Sequence, residues 1–481
     1  IEVASPISND LLAITGAADI AGILQTSWTG GATPKPGTRL GTILTATSGV
    51  TGRFSRLLTN ITPTVMFKPK YDIANQIYLM VERDYINENI MPYLTANQQA
   101  IGSMLNSVGN TATGDLNTVL GAIDSLTSYS QTASALEQLL PISSNVSTNV
   151  AINSANFQSG NISSRLGELR SGFSGFSVNG YSFAPFMVAS SGRELTGIIP
   201  QKYDGKWGFF VRGSTVLGDK GTSPDEVGYK FTTTGITIGS DYRFSNNFIA
   251  GVMAGFYNSK TDISDAGSKV KLDGYTLGLY KSYYTGGFYS DAFINYSYNR
   301  YDNTRRIVFP GIDRTATSKP SGHQFAAYGG AGYDFKKGNL SFGPTLSLQY
   351  VYLNLDSYTE SGAGALNLDV ERQTGNSFQS NIGGRMTYKW QTKNAEYLPS
   401  IWASYGHEFL NNSKTIDVSL SQGSSVVGIE TASPDRNFVS LGAGITAVLK
   451  NNAQIFCNYN FQAGNSRYIA QTINAGLRLQ F

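Results

Sequence analysis

Thiols, histidines and charge are all scarce in this chain of 481 residues, and each scarcity removes a class of function. A single cysteine, Cys457, excludes an intramolecular disulfide framework and any thiol-based zinc site. The two histidines, His323 and His407, both fall in segments that read as C-terminal strands. The N-terminal region therefore has no base for a Ser-His-Asp or Cys-His system and no histidine for a metal site. Asp, Glu, Lys and Arg make up 14% of the chain, against about a quarter in the usual soluble protein. The net charge of +3 is scattered, without the basic clusters that bind nucleic acid. Paired carboxylates are not singled out by spacing. Long apolar runs are missing too: nothing approaches the roughly 18 residues a spanning helix needs, and mean hydropathy is -0.17. The chain starts at Ile1 without Met or an apolar leader, which reads as a processed protein or fragment whose export signal has been removed.

What is plentiful is glycine, 53 residues, and aromatics, 12%. From Gly205 to Phe481 the sequence falls into runs of about ten or more residues that alternate apolar and polar. Phe288, Ala292, Ile294, Tyr296 and Tyr298 share one parity, while Asp291, Asn295, Ser297 and Asn299 share the other. Phe378, Ile382, Met386, Tyr388 and Trp390 alternate in the same way with Gln379, Asn381, Arg385, Thr387 and Lys389. Aromatics gather at run ends, as at the two interfaces of a bilayer. A soluble sandwich also alternates, but its strands are typically about 5–6 residues long. The expected fold is mainly β: a 12-stranded antiparallel transmembrane barrel over 205–481. Its strands should start near Trp207, Tyr229, Phe248, Lys269, Phe288, Gly322, Leu340, Ser377, Leu398, Asn437, Ala453 and Ser466. Short turns alternate with longer connections (Asp302–Ser321, Asp356–Asn376, Asn411–Arg436), and that asymmetry places the long ones outside the cell. Cys457 shares parity with Ile455 and Tyr459 and reads as a small lipid-facing residue.

Residues 1–84 carry short β-runs (Leu11–Thr15, Gly41–Thr47, Ile77–Val81) among Gly, Asn and Ser, as in the end of a stacked β-solenoid. Further rungs are expected upstream. Over 85–148 the period becomes helical, with helices expected at Asn97–Val108, Asp115–Leu126 and Ala133–Leu140, a small spacer packed on the solenoid end. Over 149–172 a polar stretch, Asn153–Arg170, predicts a helix of roughly 27 Å. It is too polar for lipid but suited to a polar barrel lumen, the alternative being a solvent-exposed linker.

These segments, in this order, resemble the C-terminal end of a type V secretion autotransporter. "GTILTATSGVTGRFS" (Gly41–Ser55) resembles the autochaperone region at the end of the passenger β-helix, and "TANQQAIGSML" (Thr95–Leu105) the helical segment after it. "RLGELR" (Arg165–Arg170) resembles the linker helix before the barrel. Phe481, preceded by Leu479 and Leu477, is similar to the signal read by the outer-membrane assembly machinery. The resemblance implies a linker helix threaded through a twelve-stranded barrel that brings the passenger to the cell surface. Its partners would be outer-membrane lipid, the β-barrel assembly machinery and its own passenger. Some branches are cut after an Asn-Asn pair in the helix; Asn153 and Asn156 are not adjacent, so the passenger is expected to stay attached. Some members carry a Gly-Asp-Ser lipase-like motif; Gly114-Asp115-Leu116 lacks the serine. No enzyme, cofactor or metal is expected in these residues, and any passenger activity would lie upstream. The competing reading is a porin-like channel with a periplasmic N-terminal region.

The residues expected to matter are architectural. Arg212, Asp241, Arg243, Asp291, Arg385, Lys389 and Arg478 should line the lumen and either hold Arg165, Glu168 and Arg170 of the helix by charge-assisted bonds or simply hydrate the lumen.

Overall fold

The computed structural model describes residues 1–481 except 32–33, 60, 171–174, 183–205, 224–226, 265–266, 394, 434–435, 450–453, 465–467 and 479–481. Residues 145, 164, 167–170, 175–182, 214, 449, 454, 456 and 472–478 are described by their backbone alone.

Twelve strands form the barrel: β1 (Trp207–Lys220), β2 (Tyr229–Arg243), β3 (Phe248–Ile263), β4 (Lys269–Thr285), β5 (Phe288–Phe309), β6 (Ser321–Tyr333), β7 (Leu340–Leu355), β8 (Gln373–Tyr388), β9 (Ala395–Glu408), β10 (Asn437–Leu449), β11 (Gln454–Gly464) and β12 (Tyr468–Arg478). Each pairs antiparallel with the next, and β12 returns to β1 through Leu217↔Gln471 to Lys220↔Tyr468. Closure, made by these four residue pairs, removes the open sheet edge that a membrane does not tolerate. A further strand, Gly175–Ser182, runs parallel to β1 in the register Gly175↔Gly208.

The alternation read from sequence sorts the two faces. Leu277, Leu279, Ile294, Tyr296, Leu346, Ile382, Leu441 and Ile445 point outward and are exposed, while Thr276, Asn295, Ser297, Ser347 and Asn381 are buried inside. An apolar surface this continuous marks contact with a membrane rather than with water. Cys457, His323 and His407 share the outward parity, and Cys457 is exposed.

The long connections are not loops throughout. β5 continues to Phe309 and turns back through Ile312–Ser318, extending the sheet beyond the barrel wall. Tyr358–Thr359, Leu368–Val370, Thr415–Leu420 and Val427–Glu430, from the other two connections, form a small four-stranded sheet. These runs are too short and too mixed with turn residues to read as strands. They order because Ile307, Phe309, Leu368, Val418 and Leu420 enter one core with three N-terminal helices.

Those helices are α1 (Ala96–Gly109), α2 (Gly114–Asp124) and α3 (Tyr129–Glu137). Thr95 and Gln98 form a reciprocal capping box that starts α1. Ile101, Met104 and Leu105 of α1, and Val119, Leu120 and Ile123 of α2, are fully buried in the shared core. The helical segment thus packs on the barrel's connections as well as on the solenoid end.

Short strands between Leu12 and Leu58 stack in parallel as the rungs of a solenoid do. Leu12 pairs parallel with Leu44, Ala18 with Val50 and Ile23 with Arg56, so one rung lies on the next at an offset of 32 to 33 residues. An antiparallel hairpin, Val65–Ile73 with Gln76–Arg83, closes the end by pairing with Arg39–Ala46. Arg83, at the end of that hairpin, reaches Asp124 of α2 (2.7 Å), the Gly109 carbonyl (2.6 Å) and Asn117 Oδ1 (2.9 Å). That buried fork ties the solenoid to the helices.

α4 runs from Ile142 to Arg170, eleven residues longer at its start than the sequence reading. Its first turns are Ser, Thr, Asn and Val, all weak helix formers. Inside the barrel, intrahelical hydrogen bonds satisfy its backbone, and tertiary packing outweighs propensity. Its 29 residues extend about 43 Å at 1.5 Å each, longer than a hydrocarbon core of about 30 Å.

Candidate functional site

α4 occupies the lumen, and its described contacts run from Ser147 to Leu166. Near its start Ser147 donates to Asn303 Oδ1 (3.3 Å), towards the end of β5 that carries the long connections. In the middle Gln349 Nε2 donates to Asn156 Oδ1 (2.5 Å) from β7. The Thr237 hydroxyl of β2 donates to Gln158 Oε1 and accepts from Asn161 Nδ2, both at 2.9 Å. Arg212 of β1 donates to the Asn161 carbonyl (3.1 Å). Near the short-turn end Arg165 pairs with Asp241 (2.8 Å), and Tyr280 OH donates to the same carboxylate (3.2 Å). These bonds offset part of the cost of burying polar groups in a low-dielectric interior, while Gln158 Nε2 and Asn303 Nδ2 are buried without a hydrogen-bond partner among the described residues.

The lumen is less watery than its alternation predicted. Ile162 and Leu166 of α4 pack against Phe210, Ile249, Met253, Tyr280, Phe293 and Tyr328, all directed inward. Phe157 meets Tyr257 edge-on, with centroids 6.4 Å apart. An inward apolar residue has no use for an empty aqueous channel; these exist because a helix with its own apolar residues occupies it. Glycines make the room. A Cβ on Gly235 would stand 2.6 Å from the Phe256 carbonyl and 3.0 Å from the Phe157 ring, and one on Gly255 would stand 2.7 Å from Gln158 Nε2.

Of the residues picked from sequence, the structure joins Arg165 to Asp241 and places Arg212 on the helix backbone. Arg243 donates to the Tyr284 hydroxyl, and Asp291 accepts from Ser282 (2.6 Å). Arg385 forks onto Asp334 (2.6 Å) and stacks over Tyr289, while Lys389 pairs with Glu396 (2.5 Å). The side chains of Glu168, Arg170, Leu477 and Arg478 lie outside the described residues, and so do Leu479 and Phe481 altogether.

A second set of contacts, outside the sequence selection, fastens the helices to the barrel's outer connections. Arg305 forks onto Glu360 (2.5 and 3.0 Å), both buried, and also donates to the Gln138 and Leu366 carbonyls. Arg314 meets Asp115 through two bonds of 2.6 and 2.7 Å, and Asp115 also accepts from Ala365 N (2.8 Å). These donors hold the Asp115 carboxyl down at about 2. Asp124 behaves oppositely: burial raises its carboxyl despite the nearby Arg83. Asn97 and Glu430 exchange two bonds of 2.8 Å between α1 and the outer sheet. Sequence held one faint signal for this: Arg305, Arg306 and Arg314 lie with Arg300, Asp302, Asp313 and Lys319 in one charge-rich stretch of a chain that is sparsely charged elsewhere.

Residues 209–460 match the family model "Autotransporter beta-domain". The chain is 26% identical over 289 residues to Esterase EstA of Pseudomonas aeruginosa, covering 58% of this chain and 43% of that protein. It is 27% identical over 267 residues to Outer membrane protein A of Rickettsia conorii, covering 53% of this chain and 13% of that one. The chain thus spans less than half the length of these curated relatives. Among solved structures, the translocator domain of autotransporter NalP from Neisseria meningitidis aligns with a TM-score of 0.46 at 16% identity, covering 58% of this chain and 90% of that one. The transport unit of AIDA-I from Escherichia coli gives 0.43 at 18% identity, covering 60% and 94%. Since the family model takes in just over half of its residues, this chain belongs to the autotransporter family.

Proposed function

We propose that this chain brings an N-terminal passenger to the cell surface and keeps it attached there, with α4 as the plug left in the pore. The direction of α4 carries this reading. Its Ser147 end lies at the long-connection side and its Arg165 end at the short-turn side, so residues before Ile142 belong to the long-connection side. In outer-membrane barrels that side is extracellular. The solenoid end and α1–α3 would then stand outside the cell, docked on the barrel's connections. Arg165, Asp241 and Arg212 would fasten the plug; Arg385 and Lys389, with carboxylates of their own, would brace the wall beside it. Glu168, Arg170 and Arg478 are proposed to add to the same fastening, and Leu477, Leu479 and Phe481 to be read by the barrel assembly machinery. We assign no catalysis to these residues; what an upstream passenger does is set upstream.

Protease added to intact cells tests the orientation. Cleavage before Asn149 without lysis is expected, for instance in the exposed Thr111–Gly114 turn. Protection until the outer membrane is permeabilised would instead support a channel with a periplasmic N-terminal region.

A further inference from the structure

Charges are sorted differently at the two ends of the barrel. At the long-connection end both signs are exposed together: Lys230 pairs with Asp219 (3.3 Å), Lys269 with Asp262 (3.3 Å) and Arg306 with Asp313 (2.7 Å), next to two exposed lysines, Lys260 and Lys271, that face each other across β3 and β4. At the short-turn end the signs separate. Asp241, Asp291, Asp334 and Glu396 all turn inward and are buried, bonded to Arg165, Ser282, Arg385 and Lys389. Lys206, Lys281, Lys336, Lys337 and Lys393 are exposed, and among the described residues none lies within ion-pair distance of a carboxylate. Among the described residues, the exposed charges on the outside of this rim are therefore of one sign.

The lysines sit among the aromatic residues of the same rim. Lys206 lies over the Tyr242 ring at 5.9 Å, beside exposed Trp207. Lys336 and Lys337 follow exposed Phe335, and Lys393 comes shortly after exposed Trp390. Lys281 is the most telling. It shares the outward parity of Leu277, Leu279 and Tyr283, so it rises from a lipid-facing row. Its cross-strand neighbours are Ala250 and Ala292, small enough for the lysine stem to lie along the wall. A cation there is costly unless its ammonium reaches out of the hydrocarbon to an anion at headgroup depth.

We propose that this rim binds the phosphate groups of anionic phospholipids in the leaflet on the short-turn side, with Lys281 as its deepest contact. The inference rests on the membrane-barrel reading and adds the lipid chemistry that one rim selects. A lipid phosphate fits better than an acidic polypeptide, because Lys281 emerges between leucine and tyrosine of the lipid-facing row. Each lysine near a charged bilayer surface contributes about 1 kcal/mol, roughly fivefold in binding.

The test uses the full chain in nanodiscs of phosphatidylcholine alone or mixed with phosphatidylglycerol. Lipids retained on release are counted by native mass spectrometry, and the melting temperature is read in parallel. Native protein should retain phosphatidylglycerol preferentially and melt higher in the mixed discs. Lys281→Gln should weaken that preference roughly fivefold, and the five-lysine glutamine variant should abolish it. A control with Lys230, Lys260, Lys269 and Lys271 changed to Gln at the other end should keep it. Equal retention by the native and five-lysine proteins would overturn the inference while leaving the barrel reading intact. So would equal stabilisation by inorganic phosphate alone, or tighter binding of a polyglutamate peptide than of the lipid. Failure of the native chain to enter either disc would overturn the barrel reading, and this inference with it.

Discussion

Arg165 of α4 places Nε and a terminal nitrogen 2.9 and 2.8 Å from one oxygen of Asp241 on β2, and neither side chain is more than 4% exposed. Removing one member strands the other in the lumen. Arg165→Met should therefore destabilise the seated plug by roughly 3–5 kcal/mol, the usual cost of breaking a buried pair. Planar-bilayer recordings should show larger and more frequent openings than the native protein. Arg165→Met with Asp241→Leu should recover much of the loss, since no charge is left unpaired. A single variant with native conductance and native melting would show that the pair does not hold the helix.

Room for the helix is the second dependence. Gly235→Ala sets a methyl against the Phe256 carbonyl and the Phe157 ring, and relief requires backbone or helix movement. A loss of about 1–3 kcal/mol is expected, the range for overpacking. Gly213→Ala, where nothing stands within 4 Å of the added carbon, should be close to neutral. Urea unfolding of the two variants followed by tryptophan emission separates the cases. Equal midpoints would remove the steric argument.

The barrel was legible because its signal is repeated. Each strand prints the same alternation, so the starts at Trp207, Tyr229, Phe248, Lys269, Phe288, Leu340 and Asn437 coincide with those observed. Where strands begin outside the membrane the signal fades: β8 starts at Gln373 rather than Ser377, within polar residues that have no lipid to face. The small outer sheet was not legible because its runs are only two to six residues long, and the Asp115–Arg314 contact because its partners lie 199 residues apart in different segments. The first turns of α4 were missed for another reason. Val146, Val150 and Ile152 are buried against the barrel wall, and only that wall makes a helix of Ile142–Ile152 favourable.

Acid should loosen the docking of the helices on the barrel. The Asp115 carboxyl is lowered to about 2 by Arg314 and by the Ala365 amide. A lowered carboxylate stabilises the folded contact above its ordinary value of 3.8, and that contribution is lost as pH falls towards about 2. The pair is partly exposed, with Asp115 at 42%, so its worth is at most about 1 kcal/mol after screening by water. Asp124 has the opposite sign: its raised carboxyl favours the folded junction as pH falls. Protection of the α2 amides, corrected for intrinsic exchange, should therefore fall below pH 3.8 in native protein relative to Asp115→Asn, in which only the opposite Asp124 contribution remains. Identical acid profiles for the two proteins would remove Asp115 from the docking.

Docking also predicts what happens after the chain is cut. α1 holds the outer sheet through Asn97 and Glu430, and Ser107 accepts from the Ser425 amide at 3.0 Å. Behind these bonds, Ile101, Met104 and Leu105 share a dry core with Val418, Leu420 and Ile429. A protease site placed in the exposed Thr111–Gly114 turn would sever residues 1–110 from α2 without touching that core. Burial of this kind contributes roughly 1.5–3 kcal/mol for each large side chain, so the severed piece should stay on the cells through buffer washes. It should leave in urea, which weakens apolar burial. Asn97→Ala together with Met104→Ala removes a polar bridge and opens a cavity worth about 2–5 kcal/mol, and should release the cut piece in plain buffer. The measurement is the fraction of the N-terminal piece in the wash, by immunoblot. Complete release from the native cut protein would mean that the backbone alone, and not the α1 interface, keeps the N-terminal region at the barrel.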